Sequence, residues 1–158
     1  MREAQERVRR FHEAMAKLGA RGDIGDLANP GIDNREAACL RARLLLEECT
    51  ETMVALIGDD ATVTMMAQRM RVVEEMGYGP PNSEDLADGL ADVTVIVLGT
   101  AVAAGIDLES VFDEVMAANE RKIGPGARVR HDGKLLKPVD WLGPDIARVL
   151  ARQKEQVR

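Results

Sequence analysis

A single all-α domain is the fold class predicted by this 158-residue sequence. Apolar residues make up 46% of it but aromatics only 3%, so the core must be filled by Ala, Leu, Val and Met, which suits packed helices better than a β-sandwich. Apolar positions recur at spacings of three and four along most of the chain, and turn-forming residues gather in a few stretches. A chain of this length can bury roughly two-thirds of the surface it exposes when unfolded, enough for one hydrophobic core.

The elements follow in order. Val8, Phe11, Ala14, Met15 and Leu18 stripe one face of an amphipathic helix over residues 2–18, which Gly19 ends. Residues 20–32, with Gly22, Gly25, Asn29, Pro30 and Gly31, read as a connection. Asp33 is placed to cap a second helix, with Glu36 positioned to reach back to the cap amide, and Gly58 suits its C-terminal end after Ile57. Val63, Met66, Met70 and Val73 suggest a third helix over 59–76, weakened by the β-branched Thr62, Val63 and Thr64. Gly77, Gly79, Pro80 and Pro81 break the chain. Ser83 then caps a new helix whose first turn holds Glu84 and Asp85, where the macrodipole favours negative charge. Residues 93–98 have strand propensity, yet the flanks DLADGLAD and GTAVAAG fit a helix better. A surface apolar on all sides predicts a place at the centre of a bundle or in a dimer interface. Asp107 caps a helix to about Lys122, with Val111, Phe112, Val115 and Met116 facing inward. Residues 124–143, rich in Gly, Pro and basic side chains, form a loop or lid, and 146–153 a last short helix. The whole, 1–158, is read as one domain.

Composition narrows the function. A net charge of −6 argues against a dedicated nucleic-acid binder, which needs a basic footprint to displace counterions. Cys39 and Cys49 lie ten residues apart on one predicted helix, roughly 15 Å along its axis, and cannot bridge each other. With free thiols and no basic-then-apolar leader, the expected location is the cytoplasm. The apolar run 93–104 is shorter than the ~20 residues that span a bilayer, so no membrane partner is expected.

Two acidic patterns can carry chemistry. Glu47, Glu48 and Glu51 fall within about 100° of arc on one helix, and Asp85, Asp88 and Asp92 within about 60° on another. A Glu-Glu-x-x-Glu helix is most often a solvated face. Here, however, the first group follows Leu44, Leu45 and Leu46, and Asp92 opens the most apolar run, so both clusters are joined to core-forming segments. Carboxylates at a core margin are costly unless something binds them, and hard divalent cations such as Mg²⁺ take oxygen ligands while leaving positions for phosphates. Among the other side chains, Lys122, Arg128, Arg130, Lys134 and Lys137 could hold phosphates as a basic arm. His12 and His131 read as structural or exposed, and Trp141, the sole Trp, could stack on a base but reads rather as a packing anchor.

RARLLLEECTE at 41–51, followed by DGLADVTVIVLGTAVAAGIDLESVFDEVMAANERK at 88–122, resembles the all-α nucleoside triphosphate pyrophosphohydrolase superfamily. That superfamily holds MazG-like proteins, dimeric dUTPases and phosphoribosyl-ATP pyrophosphohydrolases, and the last branch is the most similar. The resemblance implies a four-helix core completed by a homodimer or a dimer of dimers. It also implies Mg²⁺, or Mn²⁺, held by Glu47, Glu48 and Glu51 of an EExxE motif and by Asp92, which closes an ExxD. The sequence departs from the pattern at Gly89, where the second-helix glutamate would fall. Asp88 is the first candidate to replace it and Asp85 the second. Glu48 is the candidate proton acceptor, with Glu47 beside it. Asn119 and Lys122 match an Asn-x-x-Lys assigned to the phosphate end of the site. The implied activity is Mg²⁺-dependent cleavage of a nucleoside triphosphate to a monophosphate and pyrophosphate. Phosphoribosyl-ATP is the alternative substrate. A non-catalytic helical module binding a partner protein through 93–104 is the alternative from another class.

Overall fold

The computed structural model describes residues 1–20, 24, 32, 34–58, 82–131 and 133–156. The helix expected over 59–76 and most of the 20–32 connection lie outside the described residues. The structure is mostly helical, as the sequence predicts: α1 (Arg2–Lys17), α2 (Arg35–Ile57), α3 (Ser83–Ala103), α4 (Leu108–Glu120) and α5 (Ile146–Gln156). A 3₁₀ turn, Arg121–Ile123, extends α4, and two short strands, β1 (Arg128–Val129) and β2 (Leu135–Leu136), pair antiparallel. The expected loop over 124–143 therefore contains a hairpin. Gly133 turns it with φ 83°, a conformation that L side chains rarely adopt.

The chain forms two compact units, Gly25–Ala87 and a second made of Met1–Ile24 with Asp88–Arg158, and the boundary falls within α3. In the first unit, Asn34 and not Asp33 caps α2. Its side chain accepts hydrogen bonds from the amides of Glu36 and Ala37 at 2.8 and 3.1 Å, and Asp33 lies outside the described residues. Gly58, at φ 69°, ends the helix as expected. Asn82 takes the capping role expected of Ser83, accepting from the amides of Glu84 and Asp85. Asn34 comes one residue after the expected cap and Asn82 one residue before it, and the carboxamide serves as well as the neighbouring Asp or Ser.

In the second unit the core lies along α4. Met116 and Ala118 are buried there, with Val149 of α5 and Ala20 after α1. Asp107 caps α4 through the amide of Glu109. Gln153 fastens α5 to that end, donating to the Asp107 carbonyl and the Ser110 hydroxyl at 2.9 and 2.8 Å. At the other end of α5, Glu114 accepts from the Asp145 amide and pairs with Arg148 at 2.6 Å. Helix α1 is tied on by Arg7, whose guanidinium grips Glu120 in a two-pronged contact at 2.7 and 2.9 Å and Asp113 at 2.8 Å.

The 93–98 segment is helical, as its flanks predict, but it is not enclosed. Val95, Ile96 and Val102 are 66, 69 and 81% exposed, and among the described residues of α3 only Ala101 is buried. With 21 residues, and a mean hydropathy of 1.7 over its most apolar 18, α3 is also long and apolar enough, by length and composition, to cross a membrane, which the shorter run 93–104 did not suggest. The core helix of a soluble protein passes the same test.

Candidate functional site

The predicted acids stand on two long helices. Glu47, Glu48 and Glu51 project from the middle of α2, exposed and without an ion-pair partner among the described residues. The helix here is unbroken, and Thr52 donates its hydroxyl to the Glu48 backbone carbonyl at 2.8 Å. Asp88 and Asp92 lie one turn apart on α3, likewise exposed and unpaired among the described residues. Among the described residues, no three His, Cys, Asp or Glu side chains come close enough together to hold a metal ion.

Asp85 differs from its neighbours. Its carboxylate accepts a 2.6 Å hydrogen bond from the Asn82 carboxamide, the same side chain that caps α3. Asp85 is thus committed to the helix start, whereas Asp88 is not. Gly89 has no steric reason to be glycine, because a Cβ built there meets nothing within 4 Å.

Of the residues expected at the phosphate end, two are in contact. Lys122 donates to the Asn119 side-chain oxygen at 2.6 Å, so the Asn-x-x-Lys pair is in contact. Burial lowers the Lys122 pKa below the ordinary lysine range, and the positive charges of Lys137 and Lys134 lower it further. Arg128 and Arg130 are exposed on and just after β1, so the basic arm is a short hairpin with its charges outward.

Sequence reasoning missed the role of Trp141. As expected it is an anchor, with its indole N–H donating to the Ala118 carbonyl at 2.9 Å. Its ring also carries two cations, the Lys122 ammonium 4.9 Å and the Lys137 ammonium 4.5 Å from the centroid. A lone Trp set among lysines was the signal available. His131 is exposed, His12 half-buried beside Phe11, and Cys39 and Cys49 are free, all as read from the sequence.

A pocket of about 340 Å³ opens between α4 and α5, lined by Ser110, Asp113, Glu114, Arg148, Val149, Arg152 and Gln153. It contains none of the predicted site residues, and much of its charge is spent on the Glu114–Arg148 and Arg7–Asp113 pairs. It is a seam between helices.

The family model described as phosphoribosyl-ATP pyrophosphohydrolase matches residues 25–119, more than half of the chain. The match spans both acidic helices and ends at Asn119, so Lys122, the hairpin and Trp141 lie beyond it. No curated protein and no solved structure matches the chain.

Proposed function

Because the chain belongs to the phosphoribosyl-ATP pyrophosphohydrolase family, within the all-α nucleoside triphosphate pyrophosphohydrolase superfamily, we propose that it hydrolyses a nucleoside triphosphate to the monophosphate and pyrophosphate. Membership supports the coarser activity, a pyrophosphohydrolase acting on acid anhydrides. The observation that carries the finer reading is the set of five exposed carboxylates, Glu47, Glu48, Glu51, Asp88 and Asp92, that no cation among the described residues neutralises. Carboxylates of this kind, hard oxygen donors accessible to water, have the chemistry that Mg²⁺ or Mn²⁺ takes. When bound, the metal neutralises phosphate charge and makes a water molecule acidic enough to attack phosphorus.

The remaining roles belong to the chain's own residues. Glu48, uncommitted in the structure, accepts the proton of the attacking water, with Glu47 the second candidate. Asn119 and Lys122, already in contact, hold phosphate oxygens, and Arg128 and Arg130 add charge from the hairpin. Asp88 takes the place of the glutamate missing at position 89, because Asp85 is held by Asn82. The exposed apolar side chains of α3 are assigned to a homodimer or dimer-of-dimers interface, and the free thiols to a cytoplasmic setting.

The family matched favours a second substrate, phosphoribosyl-ATP, through cleavage of the same bond. A panel of NTPs, dNTPs and phosphoribosyl-ATP, with product identification and Mg²⁺ or EDTA, tests both. Pyrophosphate release abolished by EDTA is expected. Orthophosphate release, or undiminished turnover in EDTA, would overturn the mechanism.

A further inference from the structure

We propose that Lys122, Lys137 and Trp141 form a pyrophosphate-binding subsite, supplied by the segment that follows the family match and receiving the end of the substrate that leaves. The inference rests on the anhydride-cleaving reading above, in which Lys122 already holds phosphate, and adds Lys137 and Trp141 to it. Both ammonium groups lie within 5 Å of the centroid of one indole ring. Among the described residues neither makes an ion pair with a carboxylate, and Lys122 has only the neutral Asn119 oxygen as a hydrogen-bond partner. A ring quadrupole attracts cations without cancelling their charge, so the pair keeps its capacity for an anion. Burial first, and then repulsion from Lys137, works against the charged form of Lys122, and a bound anion offsets both.

The cluster is also fixed in place. The indole is pinned to the Ala118 carbonyl, Ala118 is only 1% exposed, and Lys122 is held by Asn119 on the same helix. An ammonium has three donors, so Lys122 retains two after bonding Asn119. Two separate ammonium groups suit a ligand with two linked phosphates better than a single phosphate. Base stacking on Trp141 is disfavoured, since cations already stand over the ring.

The sole Trp serves as the probe. The full-length protein is titrated in EDTA at low ionic strength with inorganic pyrophosphate, with phosphate and with adenosine, while Trp141 emission is followed. Saturable change with pyrophosphate, weaker change with phosphate and none with adenosine is expected. Lys137→Gln, at an exposed position, should weaken pyrophosphate binding roughly tenfold, with recovery in Lys137→Arg and wild-type binding in Glu48→Gln. In turnover, Lys137→Gln should act mainly on KM. Pyrophosphate binding and kcat/KM unchanged in Lys137→Gln would overturn the subsite even if the enzyme cleaves triphosphates. Lys137-dependent pyrophosphate binding by a protein that cleaves none would keep the subsite and remove the activity.

Discussion

Replacing Arg7 by Met should release α1 from α4, at a cost that follows from how exposed each contact is. The Arg7 side chain is 24% exposed, Glu120 39% and Asp113 63%. An exposed ion pair contributes about 0.2–1 kcal/mol, so the Asp113 contact is worth a few tenths. The Glu120 contact is two-pronged and less exposed, and after allowance for solvent screening it contributes about 1 kcal/mol. The loss in Arg7→Met is then about 1.5 kcal/mol, or a fall in Tm of roughly 3–6 °C at this chain length. Urea denaturation of Arg7→Met, Glu120→Gln and the double variant should give a coupling energy near 1 kcal/mol. A pH series adds a second test. The Arg7 hydrogen bond holds the Glu120 carboxyl below the usual carboxylate range, against the opposing effect of burial. A depressed folded-state pKa gives stability that is full above the unfolded pKa of about 4.3 and is lost as pH falls through the folded value. Arg7 itself, raised further above an already high value, adds no pH dependence below neutrality. Coupling under about 0.3 kcal/mol, or an acid limb that does not flatten in Arg7→Met, would refute the reasoning.

Other expectations concern the site. Glu48→Gln, Glu51→Gln and Asp92→Asn should each remove most turnover while leaving the metal-free protein as stable or slightly more so by urea denaturation, because each removes one of several like charges. Asp88→Asn should also inactivate, and Gly89→Glu in that background should restore turnover, since the new side chain has open space; restoration by Gly89→Glu failing while Asp85→Asn inactivates would move the ligand to Asp85. Arg128→Ala with Arg130→Ala should raise KM about tenfold, which corresponds to about 1.4 kcal/mol, without weakening Mn²⁺ binding measured calorimetrically. Lys122→Met should stabilise the ligand-free protein near neutrality. Its lowered pKa makes the protonated form a cost that is full below the folded value and fades as pH rises to the unfolded value of about 10.4, so the gain should shrink over that window.

What was legible in the sequence depended on whether its signal was local. Helix periodicity and glycine stops are local, so α1, α2 and α4 begin and end within a residue or two of the pattern, and Gly58 adopts the left-handed φ that its position required. Cap identity was less legible. Asp33 and Ser83 are as competent as Asn34 and Asn82, and the choice is made by where the chain enters the helix. The Asn119–Lys122 contact could be read because i and i+3 face one another on a helix turn. Trp141 could not be placed, because its partners Ala118, Lys122 and Lys137 come from a helix, a 3₁₀ turn and the strand exit, joined only by folding.

The same distinction explains why the choice between Asp85 and Asp88 stayed open in the sequence. Both lie on one face of α3, and both are carboxylates of equal reach. The difference arises from Asn82, which satisfies two backbone amides with its oxygen and has its amide nitrogen left to place. Asp85, three residues on, is the acceptor within reach at 2.6 Å, whereas Asp88 is one turn too far along the helix. Helix capping thus engages one acid of the face and leaves the next without a partner among the described residues. Removing the cap should therefore return Asp85 to competition: in Asn82→Ala, Asp88→Asn should retain more turnover than it does in the wild-type background. Equal losses in the two backgrounds would show that Asp85 is excluded by its place on α3 and not by Asn82.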